Sequence, residues 1–203
     1  MGKRTGCSKG KGGSMHMFNT AKNFFGGHGI VGAQVPIGTG IAFAEQYKKS
    51  KGVVFTCLGD GAMNQGQVYE SFNMASLWKL PVVYVVENNE YAMGTSVPRS
   101  SSVVELCKRG EGCGVPGRQV DGMDVFAVVG AADDAAKLCR NGNGPILLEM
   151  KTYRFRGHSM SDPAKYRTRQ EVDEVRETVN EAVEFAQNSP EPDVDELYTD
   201  VYK

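Results

Sequence analysis

The chain has 203 residues, a length that suits one domain or one domain with a short appendage. Hydrophobic residues make up 40% and charged residues 23% of the sequence, and this balance indicates a globular protein and not a disordered one. The net charge of −1 argues against nucleic-acid binding, and no apolar run approaches the roughly 20 residues of a membrane span. Five cysteines without CxxC spacing indicate neither a disulfide framework nor a zinc site, and they favour a reducing compartment.

The beginning of the chain is a basic, glycine-rich segment. Residues 1–29 are rich in Gly, Lys and Ser, which predicts a long loop. Lys3, Arg4, Lys9 and Lys11 make the N-terminal part of this segment basic. A basic stretch of this kind suits a phosphate ligand and suits a solvated terminus equally well, so the charge pattern leaves both interpretations open.

Apolar periodicity predicts the secondary structure of the remaining chain. Short runs of apolar, β-branched residues predict buried strands, and apolar residues at helical spacing predict helices between them. The last helix begins with a capping box of Thr168 and Glu171 and stops at Ser189-Pro190. In chain order, the predicted elements are a helix over 31–49, a strand over 53–58, a helix over 64–79, a strand over 82–86, a loop over 91–118, a strand over 125–129, a helix over 133–140, a strand over 146–150, a loop over 153–169 and a helix over 171–187.

Strands that alternate with helices predict the fold class. The pattern is typical of an α/β fold with a parallel sheet flanked by helices. We expect residues 1–170 to form this α/β domain. Residues 171–203 then form a C-terminal helix and tail.

Two strand ends of the predicted sheet carry chemically distinctive residues. Gly59-Asp60-Gly61 follows the first strand, and Asn88-Asn89 follows the second. The glycines let backbone N–H groups approach a phosphate, and Asp60 and Asn89 offer the oxygen ligands that Mg²⁺ prefers. These two residues are 29 positions apart, the length of one strand–helix–strand unit, so adjacent parallel strands would bring them together. Each motif alone is most often a plain turn, and the pair is what predicts a site for a metal and a phosphate.

The joint pattern resembles the thiamine-diphosphate motif of the E1 α subunits of 2-oxoacid dehydrogenase complexes. The resemblance runs from about Gly2 to Tyr198. Its blocks lie at residues 9–17, 29–34, 59–66, 87–96 and 153–163. It implies a thiamine-diphosphate-binding fold, with thiamine diphosphate and Mg²⁺ as cofactors.

The resemblance also implies roles for single residues. Asp60, Asn89 and the backbone carbonyl of Tyr91 would bind Mg²⁺. The residues that would line the cofactor are Gly29, Val31, Gly61 and Ala62. Of these, Gly61 and Ala62 would lie near the diphosphate.

Two histidines are candidates for a catalytic role. His158 lies on the segment that resembles the family's active-site loop, where it would contact the diphosphate and assist acyl transfer to lipoyl. Arginines in the same polar loop suit an anionic cofactor, although a solvated loop histidine would fit the pattern too. His28, just before the cofactor-lining stretch, is a second candidate. His16, between two methionines, is interpreted as structural.

The chain departs from the family pattern in several places. Family members have a further segment before Gly2 that contacts the cofactor, and a helical segment after Arg176 that is missing here. The helix over 171–187 is therefore interpreted as a junction of two family helices, and both gaps place independent activity in question.

Ser159 and Ser96 match serines that are kinase targets in mitochondrial members, whereas in a bacterial protein they would be plain polar loop residues.

By resemblance, the expected activity is oxidative decarboxylation of a 2-oxo acid with acyl transfer to a lipoyl group. Pyruvate is favoured because residues 120–124 and 157–163 match the pyruvate type of the family. A branched-chain or acetoin-type α subunit and an inactive fragment that acts as an assembly module are the alternatives. The expected partners are an E1 β subunit, in an α₂β₂ heterotetramer, and the lipoyl domain of E2. No nucleic acid or membrane is expected, and the location would be the bacterial cytoplasm or the mitochondrial matrix.

Gly38 and Gly40 lie close together in the predicted helix over 31–49. Each glycine costs a helix about 1 kcal/mol relative to alanine, so two of them indicate the close approach of a neighbouring element. That neighbour is either another subunit or the chain's own sheet. The resemblance to a family that assembles as α₂β₂ favours the subunit and predicts that the isolated chain self-associates.

Overall fold

The computed structural model describes residues 2–190, apart from the side chain of Val172. The chain divides into two compact units, Met1–Arg154 and Phe155–Lys203. The sequence predicted a boundary after residue 170, and the first unit ends earlier than that. The predicted tail beyond residue 190 lies outside the described residues.

The first unit is built around a parallel sheet. The strands in the described residues are β1 (Val54–Gly59), β2 (Val82–Asn88), β3 (Tyr91–Ala92), β4 (Thr95–Ser96), β5 (Gly117–Asp121) and β6 (Ile146–Lys151). Four of them form the parallel sheet in the order β1-β2-β6-β5, and β3 pairs antiparallel with β4. The predicted parallel sheet flanked by helices is confirmed.

Helices connect the strands. The α-helices in the described part of the chain are α1 (Gln34–Tyr47), α2 (Gly66–Leu77), α3 (Val97–Ser100), α4 (Val125–Arg140) and α5 (Arg169–Asn188). Shorter 3-10 helices occupy Cys7–Gly10, Ser14–His16, Thr20–Lys22, Gly61–Asn64 and Leu106–Cys113. The first three of these lie in the glycine-rich segment that was predicted to be a loop, and most of its residues are exposed.

The sheet is covered on both faces, which explains why its inner strands are continuous apolar runs. In β2, Val82, Tyr84 and Val86 belong to a core that α1 and α2 complete, whereas Val83 belongs to a second core that α4 completes. In the first core, the rings of Phe72 and Tyr84 pack with centroids 4.6 Å apart. Alternate residues of one strand therefore pack against helices on opposite sides of the sheet.

Two predictions between residues 91 and 129 were wrong. The apolar run over 125–129 was predicted as a strand, but it forms the first turns of α4. The helix begins there because the Asp124 carboxylate accepts hydrogen bonds from the backbone N–H groups of Phe126 (2.9 Å) and Ala127 (3.3 Å). The predicted loop over 91–118 instead contains short helices, the β3–β4 hairpin and the start of β5, in which only Val120 is buried.

The two glycines of α1 have different surroundings. A Cβ on Gly38 would lie 2.7 Å from the Cβ of Thr56 on β1, so this glycine permits close packing of α1 on the chain's own sheet. A Cβ on Gly40 would meet no atom within 4 Å, and Gly40 is exposed. The own-sheet interpretation therefore holds for Gly38, and the subunit interface stays a prediction for Gly40.

The second unit contains a polar loop followed by α5. Its predicted boundaries are confirmed, because the Thr168 hydroxyl accepts a hydrogen bond from the Glu171 N–H (3.2 Å) and the helix ends before Ser189. On the apolar face of α5, Val179 is 54% and Val183 is 48% exposed. None of the helices within residues 2–190 is long and apolar enough to cross a membrane.

Candidate functional site

The two chemically marked strand ends lie side by side. β1 and β2 are adjacent and parallel, and their last register pair is Gly59 with Glu87. Asp60 directly follows β1, and Asn89 directly follows β2. The structure therefore places both residues at neighbouring carboxyl ends of the sheet, as the sequence predicted, and ligands of open α/β sheets bind at this end.

Asp60 is a buried carboxylate with an unused oxygen. The residue is 4% exposed, and its Oδ2 has no hydrogen-bond partner among residues 2–190. Burial raises the pKa of the Asp60 carboxyl, against the opposite effects of the backbone N–H groups of Gly61 and Asp60 and of the Arg154 and Lys151 charges. A buried oxygen of this kind fits a hard cation such as Mg²⁺.

The turn after β1 packs against the hairpin after β2. A Cβ on Gly61 would lie 2.5 Å from the Cβ of Ala92, so only glycine fits at this position. A Cβ on Gly59 would meet no atom within 4 Å, and Ala62 is buried in the 3-10 helix that follows. Gly61 thus permits the close approach of the two loops, whereas Gly59, on the other side of the Asp60 carboxylate, faces open space.

Asn88 holds the turn after β2. It is completely buried, its Nδ2 donates to Glu149 Oε1 (2.6 Å), and its Oδ1 accepts from the Glu90 N–H (2.9 Å). Glu149 Oε2 accepts from the backbone N–H of Cys107 (2.9 Å). Asn89 is half-buried within this turn. Glu149 was not among the predicted site residues; the sequence signal for it is a single charge inside the apolar run of β6.

A guanidinium contacts the carbonyl that was predicted as a metal ligand. Arg154 donates to the carbonyl oxygens of Tyr91 (2.9 Å) and Met93 (3.1 Å). A carbonyl oxygen has two lone pairs, so Tyr91 can accept this bond and still offer a lone pair to a cation. Lys151, the last residue of β6, pairs with Glu90 (2.7 Å). Arg154 and Lys151 thus place two cationic side chains near the strand ends, of which Lys151 is already paired with the Glu90 carboxylate.

Val31 and Gly29, which were predicted to line the cofactor, have different neighbours. The Val31 carbonyl accepts a hydrogen bond from the Gln67 side chain (3.0 Å) in the first turn of α2. A Cβ on Gly29 would lie 3.4 Å from the imidazole of His16. The Val31 backbone therefore contacts the helix that follows the Gly-Asp-Gly turn, whereas Gly29 lies beside His16 at the end of the 3-10 helix Ser14–His16.

His28 lies in a groove beside the edge strand β1. The groove has a volume of about 740 Å³, and its walls include Phe24 and Phe55. Asp60 and Asn89 are not among its lining residues. His28 and the two strand-end residues therefore do not line one groove, and the catalytic role of His28 stays a prediction.

His158 belongs to the second unit, in a loop that Asp162 organises. The Asp162 carboxylate accepts hydrogen bonds from the His158 backbone N–H (2.7 Å) and from the Tyr166 hydroxyl (2.7 Å). The hydroxyls of Ser159 and Ser161 are hydrogen-bonded at 3.0 Å. His158 and Ser159 are both exposed in this loop.

A solved structure has a similar fold. The X-ray structure of a protein from Mycobacterium smegmatis, described as a thiamin diphosphate-dependent enzyme, matches 64% of this chain and 24% of its own chain. The TM-score is 0.51 and the sequence identity is 22%, a level at which the likeness shows the fold alone. The fold is thus similar to that of this enzyme, and it is the parallel α/β fold that the sequence predicted.

Sequence comparison identifies the family. Residues 1–194 match the family described as dehydrogenase E1 component. The pyruvate dehydrogenase E1 component subunit alpha of Rhizobium meliloti (strain 1021) is 56% identical, over 98% of this chain and 67% of its own length. The subunit of the same name from Rickettsia felis is 54% identical over 100% and 72%, and the mitochondrial one from Dictyostelium discoideum is 63% identical over 87% and 46%. This chain belongs to the dehydrogenase E1 component family.

The alignments also contain internal gaps. The match to the Rhizobium meliloti subunit extends over 232 positions, more than the 203 residues of this chain. It therefore includes positions at which the relative has a residue and this chain has none. This agrees with the gap that was expected after Arg176, although the location of the gap stays a prediction.

Proposed function

We propose that the chain is the α subunit of a pyruvate dehydrogenase E1 component, which decarboxylates pyruvate oxidatively with thiamine diphosphate and Mg²⁺. The observation that carries the proposal is the buried Asp60 carboxylate at the end of β1, beside Asn89 at the end of β2. The relatives that cover most of this chain bear the name of that subunit. Their name and the pyruvate-type blocks at 120–124 and 157–163 support pyruvate as the substrate.

In this proposal the strand ends hold the metal ion. Asp60 supplies the one charged ligand, and Asn89 and the Tyr91 carbonyl supply neutral oxygens. These oxygens would hold Mg²⁺, and the ion would neutralise part of the charge of the diphosphate. Arg154 would offset part of the remaining negative charge of the diphosphate.

The remaining predicted residues would bind and orient the cofactor. When bound, thiamine diphosphate supplies the electron sink for the loss of CO₂ from a 2-oxo acid. His158 would contact the diphosphate and assist acyl transfer, and His28 is a second candidate that depends on the family resemblance alone. The residues that would line the cofactor are Gly29, Val31, Gly61 and Ala62.

The proposed acyl acceptor follows from the reaction, and the proposed partner subunit follows from the family resemblance. Pyruvate loses CO₂, and its acyl group passes to the lipoyl group of E2, whose disulfide is reduced as it accepts that group. The E1 β subunit completes the cofactor site in an α₂β₂ heterotetramer. The location, bacterial cytoplasm or mitochondrial matrix, stays a prediction, and relatives of both origins are named.

Calorimetric titration with thiamine diphosphate, with and without Mg²⁺, tests the site in the chain combined with an E1 β subunit. We expect Mg²⁺-dependent binding that Asp60→Ala abolishes, because this change removes the one charged ligand. Asp133→Ala, which removes an exposed carboxylate from α4, is the matched control and should bind like the wild type. Unchanged affinity in Asp60→Ala would contradict the assignment.

Turnover measurements distinguish pyruvate from the alternative functions. With the E1 β subunit supplied, pyruvate should be consumed faster than branched-chain 2-oxo acids or acetoin. A preference for one of those substrates would replace pyruvate in the proposal. Stable assembly with E1 β without cofactor binding or turnover would favour the assembly module, an alternative that the missing aligned positions support.

A further inference from the structure

Glu149 is a buried carboxylate in the middle of the sheet. It is completely buried, and its register partners are Val86 on β2 and Gln119 on β5. It takes part in none of the ion pairs found within residues 2–190. Its two oxygens instead accept hydrogen bonds from Asn88 Nδ2 (2.6 Å) and the Cys107 N–H (2.9 Å). Burial of a carboxylate is costly, so an apolar residue would be expected here unless these bonds serve a purpose.

The carboxylate determines how the Asn88 amide is oriented. A carboxylate accepts hydrogen bonds and donates none, so Asn88 must turn its NH₂ group toward Glu149. The Asn88 oxygen then points the other way, where it accepts from the Glu90 N–H at 2.9 Å. A buried charge in β6 thereby controls a hydrogen bond in the turn that follows β2.

That turn carries two of the proposed metal ligands. Glu90 has a φ of +72°, a backbone conformation that residues other than glycine adopt rarely, so bonds from outside the turn are needed to maintain it. The Glu90 carbonyl also accepts from the Val97 N–H (3.0 Å). Asn89 and Tyr91 are the direct neighbours of Glu90, so the conformation of Glu90 sets the positions of both.

We propose that Glu149 is a positioning residue that acts through Asn88 to hold Asn89 and Tyr91 in place for Mg²⁺. This inference rests on the metal site proposed above. Residues that support metal ligands from the next layer typically change metal affinity about 10- to 100-fold when they are replaced. An effect of that size is expected for Glu149, which would contact neither the metal nor the cofactor.

Glu149→Gln replaces one acceptor oxygen of the side chain with a donor NH₂ group and leaves the size of the side chain nearly unchanged. The Cys107 N–H is fixed in the backbone, so the new amide oxygen turns toward it and the new NH₂ group faces Asn88. Asn88 must then present its oxygen to that group and its own NH₂ group to the Glu90 N–H, where two donors oppose each other. We expect faster hydrogen exchange of the Glu90 amide and an Mg²⁺ affinity about 10- to 100-fold lower.

A second substitution should restore the order of donors and acceptors. When Asn88→Asp is combined with Glu149→Gln, the new carboxylate accepts both from the glutamine amide and from the Glu90 N–H. Asn88→Asp alone places two carboxylates against each other and should weaken Mg²⁺ binding. Rescue in the double variant is the result that a purely structural role of either residue would not produce.

Val83→Ala is the control for general destabilisation. Val83 is a completely buried residue of β2 that packs in the core on the α4 side of the sheet. Its truncation should lower Tm and leave the Mg²⁺ affinity and the Glu90 amide exchange as in the wild type. A loss of Mg²⁺ affinity in this variant equal to that of Glu149→Gln would overturn the specific role of Glu149.

Two measurements distinguish this inference from the proposed function. Hydrogen exchange of the Glu90 amide is measured in the cofactor-free chain, and Mg²⁺ is titrated calorimetrically with thiamine diphosphate present and the E1 β subunit bound. A wild-type protein that binds no Mg²⁺ overturns the proposed function, and the metal role of Glu149 with it. Wild-type Mg²⁺ binding together with unchanged exchange and affinity in a folded Glu149→Gln variant overturns the role of Glu149 alone.

Asn88→Ala tests the role of Glu149 if the Glu149→Gln variant does not fold. It removes the connection between Glu149 and the turn and leaves the bond from the Cys107 N–H to Glu149 in place. Faster exchange of the Glu90 amide and weaker Mg²⁺ binding would support the inference. Wild-type values for both would overturn it.

Discussion

Asp60→Asn should stabilise the cofactor-free protein and at the same time abolish metal binding. The Asp60 carboxylate is 4% exposed, and one of its oxygens has no hydrogen-bond partner in the described part of the chain. A buried polar group left in this state costs the folded protein about 1–3 kcal/mol, and a charged one more. Asparagine has nearly the same shape without the charge, so we expect a gain of about 1 kcal/mol at pH 7 after its own unpaired atoms are counted.

The pH dependence of this gain follows from the pKa of Asp60. Burial raises that pKa above its ordinary value of 3.8, so the folded protein binds the proton more tightly than the unfolded chain does. The stability of the wild type therefore falls as pH rises from 3.8 through the raised pKa, and the loss is complete above it. The advantage of Asp60→Asn should accordingly be full at pH 7 and shrink as the pH is lowered toward 3.8.

Thermal unfolding with and without cofactor measures both effects. Without cofactor, a gain of about 1 kcal/mol corresponds to a Tm about 2–4 °C higher for a chain of this size. A ligand at 100 times its Kd stabilises a protein by about 2.7 kcal/mol, so saturating Mg²⁺ and thiamine diphosphate, with the E1 β subunit bound, should reverse the order. An Asp60→Asn variant that is less stable than the wild type without cofactor, or equally stabilised by cofactor, would refute the reasoning. The exposed Asp133→Asn should behave like the wild type in both measurements.

Three further predictions concern the fold and assembly. Asp124→Ala removes the N-cap of α4 and should cost about 1 kcal/mol in thermal unfolding, whereas the exposed Asp133→Ala should not. Gly38→Ala should lower Tm because its Cβ would press on Thr56, whereas Gly40→Ala, in open space, should stabilise α1 by up to about 1 kcal/mol; equal effects would contradict the packing of α1. In light scattering at tens of micromolar, the isolated chain should form species larger than 22.0 kDa, and a monodisperse monomer would count against the exposed interface.

The inner strands and their marked ends were predictable because their signals are local. β1, β2 and β6 are short apolar runs, since helices cover the sheet on both faces. The motif residues follow these strands directly in the chain. The closeness of Asp60 to Asn89 could be predicted too. One strand–helix–strand unit separates them, and parallel strands joined in this way are adjacent.

The predictions failed where the neighbours of a segment outweighed its own composition. The run over 125–129 has the β-branched residues of a strand, but the Asp124 carboxylate caps it as a helix. β5 has only Val120 buried, and it is a strand because β6 offers it a row of backbone hydrogen-bonding groups. The local signal was misleading in the first case and almost absent in the second.

The sequence by itself determined the α/β class, the parallel sheet and the two motif ends, because hydrophobic period and turn residues act over a few positions. Only the tertiary structure decided that Gly38 faces the chain's own sheet and that Glu149 supports Asn88 across 61 positions of the chain. Contacts of this length leave no periodic pattern in the sequence. They arise when packing removes two polar groups from water, and each must then find its hydrogen-bond partner in whichever element lies beside it.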